Sequence, residues 1–252
     1  MSDLAHRGLL WNAAMVKNML FSRNLKFTVL IVVLLLSGCA TRDPDFADPT
    51  DPLEDFNRAI FSFNDSLDKA VLEPLAQGYN AITPVPVNRS ITYFFNNLSD
   101  INSTINSLLQ FKLDSALNNL SRVIINSSLG IGGLFDVATD LNINRNVEDF
   151  GQTLGYWGIQ TGPYIVLPLL GPSTARDSVG LVADWHTDPI NHLDNNSLRR
   201  GLRALDIIDS RADLLNASKI LNQAALDPYA FIRDAYLQKR KSQVFDGNLN
   251  LD

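Results

Sequence analysis

Apolar side chains recur at steps of three and four residues in several parts of the chain, and this spacing places them on one face of a helix. The first such segment starts at Asp51-Pro52-Leu53-Glu54, which combines an N-cap residue, a proline in the first turn and an acidic residue at the third position. These residues predict a helix that begins at Asp51 and ends before Pro74. Its apolar face comprises Leu53, Phe56, Ile60, Phe63, Leu67 and Val71.

Further helices are predicted along the rest of the chain. A shorter one runs from Val87 to about Leu98, and a long one opens at Ser197 and continues to about Leu221. Asp227-Pro228 caps a last helix that ends near Lys241, in a basic cluster suited to a helix C-terminus. Another amphipathic helix carries Leu113, Ala116, Leu117, Leu120, Val123 and Ile124. With at least five helices and no convincing strand alternation, the pattern predicts an all-α fold.

The segment from Gly130 to Gly171 breaks this periodicity, because glycines and prolines interrupt it repeatedly. Within it, Tyr164 to Leu170 is nevertheless strongly apolar, which is unusual for a solvated loop. Irregular backbone with apolar side chains can lie at membrane depth only where protein or a water-filled cavity satisfies its polar groups.

The N-terminal segment has the layout of a signal peptide. Phe27 to Leu36 is an apolar run of ten residues that follows Lys17, Arg23 and Lys26, and it is too short to span a bilayer, which takes about 20 residues. We therefore predict a signal peptide over residues 1–38, with the true start at Met15 or Met19. The alternative is a signal anchor followed by an accidental cysteine.

The segment Leu36-Ser37-Gly38-Cys39 resembles a bacterial lipobox. The resemblance implies cleavage before Cys39, which then carries an N-acyl chain and an S-diacylglycerol group. Ala40 is not the aspartate that retains many Gram-negative lipoproteins at the inner membrane, so the resemblance implies the outer membrane, with the polypeptide on its periplasmic side. Residues 39–50 are predicted to form this lipidated N-terminus and an acidic tether.

Charge and cysteine content exclude several classes of function. The formal charge of the whole chain is −6, but four of the 21 basic residues and one of the 27 acidic residues precede Cys39. From Cys39 onward there are 17 basic and 26 acidic residues, a charge of −9. A body this acidic is poorly suited to binding nucleic acid. The single cysteine also excludes an internal disulfide and a thiolate zinc cluster.

Candidate catalytic or metal sites are weak in this sequence. Asp184, His186 and Asp188 could supply metal ligands, but a polar turn at a helix end explains them better. Gly130-Ile131-Gly132-Gly133 follows a predicted helix, whereas a nucleotide-binding glycine loop follows a strand. No metal, cofactor or catalytic residue is therefore predicted. Arg199, Arg200 and Arg203 form a basic patch on one helix face. This patch either is solvated or meets lipid phosphates.

Several runs, in one order along the chain, resemble the MlaA/VacJ phospholipid-transport lipoproteins. They cover almost all of the chain from Asp51 to about Arg240. The matching residues are Asp51 to Arg58 with Phe61 to Asn64, Asn126 with Gly130 and Gly133, Phe150 to Gly158, Gly162-Pro163-Tyr164 with Leu167-Pro168, Gly171-Pro172-Ser173 with Arg176-Asp177, and Asp227-Pro228-Tyr229 with Arg233, Ala235 and Tyr236.

The resemblance implies a single-domain ring of amphipathic helices around a central amphipathic channel, monotopic in the inner leaflet of the outer membrane. Members of this family remove phospholipid that has strayed into the outer leaflet and pass it to a soluble periplasmic carrier, without breaking a bond. They commonly associate with trimeric porins. The expected cargo is thus phospholipid, and the expected partners are a porin, an MlaC-like carrier and the membrane. The transport domain would span residues 51–241, with a flexible tail over residues 242–252.

Motif position suggests which residues line the channel and which form a hinge. The hinge candidates lie in a stretch that resembles the family's hairpin loop, although Gln160 stands where the family often has glycine. They are Gly155, Gly158 and Gly162, and the channel candidates are Asn57, Arg58, Phe61, Phe63, Asn64 and Gln152. Two other functions stay open: a lipid-modifying enzyme that uses His186 with an acid, and a structural scaffold for a porin.

Overall fold

The computed structural model describes residues 51–247. The predicted signal peptide, Cys39 and its tether, and the last five residues of the predicted tail lie outside the described residues. The described part is mostly helical, which confirms the predicted fold class apart from one two-stranded hairpin. None of its helices combines the length and the apolar composition needed to cross a bilayer.

The helices and strands follow one another in a simple order. Their bounds are α1 Glu54–Leu67, a π-helical turn Asp68–Leu72, α2 Glu73–Ile82, α3 Val85–Leu109, α4 Leu113–Ser128, α5 Val137–Asp140, α6 Phe150–Tyr156, β1 Tyr164–Leu167, β2 Gly171–Thr174, α7 Ala175–Thr187, a 3-10 helix Pro189–His192, α8 Asn196–Asp213, α9 Leu215–Ala224 and α10 Pro228–Val244.

The first helix begins and ends differently from the prediction. Asp51 is not its N-cap: that position is Leu53, and no side chain caps the helix. The buried carboxylate of Asp51 instead accepts hydrogen bonds from Asn57 Nδ2 at 2.9 Å and from the Tyr229 hydroxyl. The helical backbone also continues past Pro74, because this proline lies in the first turn of α2, where a missing N–H is tolerated.

Three other predicted boundaries are wrong. Helix α3 has 25 residues rather than the dozen predicted, since its polar residues face the interior and hid the helical pattern. The long helix predicted from Ser197 divides at Leu214 into α8 and α9. Helix α10 ends at Val244 and not near Lys241 as predicted. Helix α7 is not among the predicted helices. The helix at Leu113 and the Asp227 cap are confirmed; Asp227 accepts the Ala230 N–H at 3.2 Å.

The apolar run from Tyr164 forms the hairpin that the sequence pattern did not predict. Strands β1 and β2 are antiparallel, with Tyr164 opposite Thr174 and Leu167 opposite Gly171. The turn places Leu169 and Gly171 in the left-handed region, at φ values of 67° and 81°. Strands of four residues are too short for an alternating pattern to stand out.

The hydrophobic core is small and lies beside this hairpin. Tyr164, Val166 and Tyr229 form its buried centre, and α1 and α10 add partly buried apolar side chains around it. Across the described residues, ten hydrophobic residues are buried against 22 polar or charged ones. Ordinary globular interiors have the opposite balance.

Helix α4 shows how this balance arises. Its buried positions are Ala116, Asn119, Arg122 and Asn126. On the opposite side, the apolar residues are exposed: Leu113 by 61%, Leu117 by 61%, Leu120 by 44% and Ile124 by 58%. The amphipathic helix that the sequence predicts is therefore turned with its polar face inward.

Candidate functional site

The polar interior beside α4 is organised around Arg122. The guanidinium donates to Asp100 on α3 at 3.1 Å and to both carboxylate oxygens of Asp136 at 2.9 Å. Arg145 pairs with the other oxygen of Asp100. Because Asp100 is fully buried, its charge depends on these two arginines. Hydrogen bonds from Arg122, Asn126 and Thr139 lower the pKa of Asp136, although burial acts to raise it.

Four asparagines use both ends of the side-chain amide to hold a segment outside their own helix, and three of them do so through a backbone carbonyl and a backbone N–H. Asn57 donates to the Tyr164 carbonyl at 3.0 Å and accepts the Val166 N–H at 2.8 Å. Asn119 does the same to a single residue, Asn146, at 2.7 and 3.0 Å.

The same device recurs at two further positions. Asn64 donates to the Leu167 carbonyl at 3.0 Å and accepts the Leu169 N–H at 2.8 Å, across the tip of the hairpin. Asn126 accepts the Ala138 N–H at 2.9 Å and donates to the Asp136 carboxylate at 3.0 Å. Each amide therefore fixes a segment that lies outside its own helix.

A cavity of about 640 Å³ lies between α3, α7, the 3-10 helix and α8. Its lining is amphipathic. Apolar side chains come from α3, α7, the 3-10 helix and Leu214 just after α8, and the charged ones come mainly from α8. The apolar residues include Phe95, Leu98, Leu181, Trp185, Ile190 and Leu214, and the charged ones are Arg145, Asp184, Asp188, Arg203, Asp206, Asp209 and Asp213.

The carboxylates of this cavity differ in exposure, since Asp209 is buried, Asp184, Asp188 and Asp206 are half-buried and Asp213 is exposed. Burial raises the pKa of Asp184, Asp206 and Asp213, because it disfavours the charged form. For Asp206 the nearby Arg203 opposes this shift, whereas Asp188 and Asp209 add to it. Asp209 itself accepts hydrogen bonds from the Tyr79 hydroxyl at 2.7 Å and the Thr92 hydroxyl at 2.8 Å.

Arg203 forms ion pairs with two of these acids, Asp188 and Asp206. It pairs with Asp188 at 2.6 Å, and its guanidinium lies 5.3 Å from the centre of the Trp185 ring. Arg199 and Arg200, its neighbours in the predicted basic patch, bond to Asn196 on their own helix, and Arg199 also donates to the Asn191 carbonyl. Of the three arginines, Arg203 is thus the one that lines the cavity.

The channel candidates named from motif position lie elsewhere. Asn57 and Gln152 are buried, and Gln152 donates to Asp149 and to the Val147 carbonyl at 3.1 and 3.3 Å. Arg58 makes two hydrogen bonds to Asp227, at 2.7 and 3.3 Å, and stacks 4.3 Å from the Tyr229 ring centre. These contacts give the three residues a part in holding the fold.

The remaining candidates face a second, smaller cavity or the exterior. Phe61 and Asn64 line a cavity of about 270 Å³ between α1, the hairpin, α8, α9 and α10. Phe61 also packs edge-on against Tyr229, with 5.7 Å between the ring centres. Phe63 is 52% exposed. None of the six candidates lines the 640 Å³ cavity.

The hinge candidates are of two kinds. Gly158 and Gly162 adopt φ values of 86° and 69°, which favour glycine. Gly155 instead allows close packing, since a Cβ there would lie 2.7 Å from Arg176 Nη1 and 2.9 Å from a methyl group of Val244. The structure thus separates a packing glycine from two glycines that the loop conformation itself requires.

A buried ion cluster fixes α6, α7 and α10 at the base of this loop. Arg240 donates to Asp149 at 2.6 and 2.9 Å and to Asp177 at 3.0 Å through two nitrogens. The Tyr236 hydroxyl donates to Asp177 at 2.9 Å. Burial acts to raise the pKa of both carboxylates, but hydrogen bonds and the charge of Arg240 outweigh it and lower both.

The candidate metal ligands are occupied by other contacts. Asp184 accepts from Asn102 at 2.8 Å and from the Phe150 N–H at 3.1 Å, while Asp188 caps the 3-10 helix through the Ile190 N–H. His186 Nδ1 lies 2.7 Å from the Val182 carbonyl. Among residues 51–247, no group of histidine and acidic side chains is arranged to hold a metal ion.

The sequence did not predict the 640 Å³ cavity or the Arg122 network, although Asp184, Asp188 and Arg203 of the cavity were named there as candidates for other roles. A signal for the network was present, because Asn119, Arg122 and Asn126 recur at three- and four-residue steps opposite the apolar face. The cavity has no such signal, since its lining comes from four separate elements.

These features define a class: a mostly helical protein with a polar interior, an apolar exterior and an amphipathic cavity, in which no described helix could span a membrane. The profile of the family described as MlaA lipoprotein matches residues 49–243. The chain therefore belongs to the MlaA lipoprotein family, as its sequence motifs indicated.

Curated relatives and a solved structure agree with this assignment. The intermembrane phospholipid transport system lipoprotein MlaA of Haemophilus influenzae is 35% identical, covering 88% of this chain and 91% of the relative. The protein of that name from Escherichia coli K12 is 34% identical, covering 85% and 86%. A solved structure, described as "Structural basis for maintenance of bacterial outer membrane lipid asymmetry", matches with a TM-score of 0.68 and 34% identity, covering 77% of this chain and 98% of that chain.

Proposed function

We propose that this protein is a lipid-anchored component of intermembrane phospholipid transport on the periplasmic side of the outer membrane. It takes phospholipid from the outer leaflet and hands it to a soluble MlaC-like carrier in the periplasm. The names of the H. influenzae and E. coli relatives support the transport role. The observation that carries the proposal is the reversed orientation of α4, with leucines outside and an arginine inside.

The exposed face of α4 is the proposed contact with acyl chains. Burying a leucine or isoleucine side chain in an apolar medium contributes about 1.5–3 kcal/mol. A stripe of four such residues can therefore hold the body in one leaflet without a spanning helix. Lipid chains on Cys39 add a second anchor, and two anchoring signals together give durable membrane attachment.

The amphipathic cavity is the proposed path for the headgroup. A phospholipid presents a charged headgroup and an apolar tail, and the lining of the 640 Å³ cavity offers ion-paired side chains beside aromatic and aliphatic ones. We propose that this cavity forms part of a central channel enclosed by a ring of helices. Transport of this kind breaks no covalent bond, so the protein needs no catalytic group.

The two rival functions have less support. A lipid hydrolase using His186 would need a free acid beside it, yet Asp184 and Asp188 both accept hydrogen bonds from the protein. A scaffold for a trimeric porin accounts for the apolar exterior but gives no use to the amphipathic cavity. We propose the porin as a partner of the transporter instead.

Deletion of the gene tests the proposed function. We expect more glycerophospholipid in the outer leaflet and greater sensitivity to detergent. Unchanged outer-leaflet lipid in a clean deletion would contradict transport. Phospholipid hydrolysis by the purified protein, abolished by His186→Ala, would favour the enzyme, and a porin complex that neither retains nor transfers phospholipid would favour the scaffold.

Substitution of the lipidated residue tests the anchor separately. Cys39→Ser should leave the circular dichroism of the body unchanged but lower its residence in the outer membrane and its transport activity. Full complementation of the deletion by Cys39→Ser would contradict the anchor while leaving the transport role intact.

A further inference from the structure

A cavity of about 680 Å³ lies between the loop 157–163 and helix α10. It differs in charge from the 640 Å³ cavity. Its lining includes Arg176, Arg240 and Lys241 and no acidic residue among those described, whereas the other cavity has five aspartates. A cavity whose charged lining residues are all cations is unusual in a body with a net charge of −9.

Arg176 brings a free hydrogen-bond donor to this cavity. The residue is only 6% exposed, and its Nε and Nη2 atoms lie 3.0 and 2.9 Å from Asp177 Oδ1. Its remaining nitrogen, Nη1, has no hydrogen-bond partner within residues 51–247. Nη1 points at the Gly155 backbone, where a Cβ would lie only 2.7 Å away, and Gly155 also lines the cavity. A buried guanidinium with one open donor is suited to an anionic oxygen.

The other two cations differ in how far they are neutralised. Arg240 is committed to Asp149 and Asp177, so its charge is already balanced. Lys241 is exposed and has no ion pair among the described residues. Arg176 Nη1 and Lys241 Nζ are therefore the two donors that a ligand can use.

Most of the other side chains in the cavity wall are aliphatic or aromatic, and Gln160 and Thr161 are the polar ones beside them. The apolar part includes Ile159 of the loop and Leu237, Val244 and Phe245 of the C-terminal segment. This arrangement combines an anion site with room for a hydrocarbon chain. It is the combination that a phosphate diester with acyl chains requires, and a free phosphate ion would leave the apolar wall unused.

We propose that this cavity is a second lipid site, at which Arg176 and Lys241 bind the phosphate of a phospholipid while its acyl chains lie against Ile159 and α10. The proposal rests on the proposed transport function and adds to it a phosphate-specific binding site, distinct from the acidic cavity between α3, α7 and α8. Recognition through the phosphate alone would accept phospholipids with different headgroups.

The test uses the full-length protein in a non-ionic detergent and a soluble short-chain lipid, dihexanoylphosphatidylglycerol, with binding measured by isothermal titration calorimetry. The variant is Lys241→Glu, and the matched control is Lys239→Glu, an exposed lysine on the same helix that does not line the cavity. We expect at least a tenfold loss of affinity in Lys241→Glu and none in the control. Arg176→Gln should show a similar loss, and circular dichroism will identify any unfolding of that more buried variant.

Two further ligands test whether the cavity recognises a phospholipid or only a free phosphate ion. Dihexanoylglycerol lacks the phosphate and should bind at least tenfold more weakly than dihexanoylphosphatidylglycerol. Inorganic phosphate lacks the chains and should also bind more weakly. Equal affinity for inorganic phosphate and the lipid, or equal affinity of Lys241→Glu and Lys239→Glu for the lipid, would overturn the proposal.

The outcome is separable from that of the transport proposal. Transfer of phospholipid to a carrier, together with lipid binding that is indifferent to Lys241→Glu, would overturn the second site and leave transport standing. Binding that depends on Lys241, in a protein that transfers no phospholipid, would support the site and contradict transport.

Discussion

The side-chain oxygen of Asn57 accepts the backbone N–H of Val166 at 2.8 Å, so a residue of α1 supplies a hydrogen bond to strand β1. The same amide donates to the Tyr164 carbonyl and to Asp51. All three interactions are buried, and water cannot replace them.

Replacement of this amide should destabilise the fold strongly. We expect Asn57→Ala to lower the free energy of unfolding by about 2–4 kcal/mol, because two backbone groups and one carboxylate lose a buried partner. Denaturant unfolding in detergent measures the loss. Asn64→Ala is the matched comparison and should cost less, since its bond to Leu169 is exposed and water can replace it. Equal losses for the two variants would contradict this reading.

The contact between α6 and α7 gives a second prediction. A Cβ on Gly180 would lie 2.4 Å from the Gly151 nitrogen and 2.8 Å from its Cα, and rigid backbone cannot move aside as a long side chain can. Gly180→Ala should therefore lower the free energy of unfolding by about 1–3 kcal/mol. The shift of the denaturant unfolding midpoint measures this loss.

Gly78 of α2 is the control for that substitution. A Cβ there meets nothing within 4 Å, so Gly78→Ala should be neutral or stabilising by up to about 1 kcal/mol, as expected for alanine in a helix. If both alanine variants changed stability in the same direction, the close approach of the two helices would not be the cause.

The buried cluster around Arg240 predicts a pH dependence. The pKa values of Asp149 and Asp177 are lowered in the folded protein, from about 3.9 for a free aspartate. Folding then gains stability above about pH 4, and this gain is lost as the pH falls through the lowered values. Arg240→Met should remove most of the gain, so its stability deficit should be largest near pH 7 and should shrink as the pH falls below about 4.

Unfolding free energies at both pH values measure that deficit. Lys69→Ala, which removes an exposed pair with Asp65, is the control and should change stability by less than about 1 kcal/mol at either pH. A deficit for Arg240→Met that did not depend on pH would contradict the proposed ion pairing.

The exposed stripe of α4 predicts where membrane contact can be lost. In a Cys39→Ser background, Leu117→Lys should reduce partition into phospholipid vesicles several-fold, because a charge replaces an apolar side chain on the proposed lipid face. Gln238→Lys, on the exposed surface of α10, should have little effect. Vesicle flotation measures both, and equal partition of the two variants would contradict contact through α4.

The sequence predicted the fold class and the family better than the position of each site. Repeating apolar steps identified α4, because helix periodicity is a local property, and several motifs together identified the family. The inward turn of Arg122 and the length of α3 depend on what each helix packs against, which no single segment records.

The motif residues show the same limit. Asn57 and Gln152 stand within the matching runs, and a functional role was a natural expectation for polar residues there. The structure shows their amides bonded to the protein itself. The acidic cavity, in contrast, uses aspartates from α7 and α8, which only the packed fold brings together.

Through the paired hydrogen bonds of Asn57, Asn64, Asn119 and Asn126, helices bond other segments of the chain, as neighbouring strands do in a sheet. The amides of Asn57, Asn64 and Asn119 each present one acceptor and one donor to backbone outside their own helix, as the edge of a neighbouring strand would. Asn126 accepts one backbone N–H in the same way but donates to the Asp136 carboxylate. Lengthening the side chain by one methylene, as in Asn119→Gln, would displace both atoms at once. The shape of Asn57 and Asn119 is therefore as closely constrained as that of a packed leucine in an ordinary core, because both ends of each amide are already bonded to backbone.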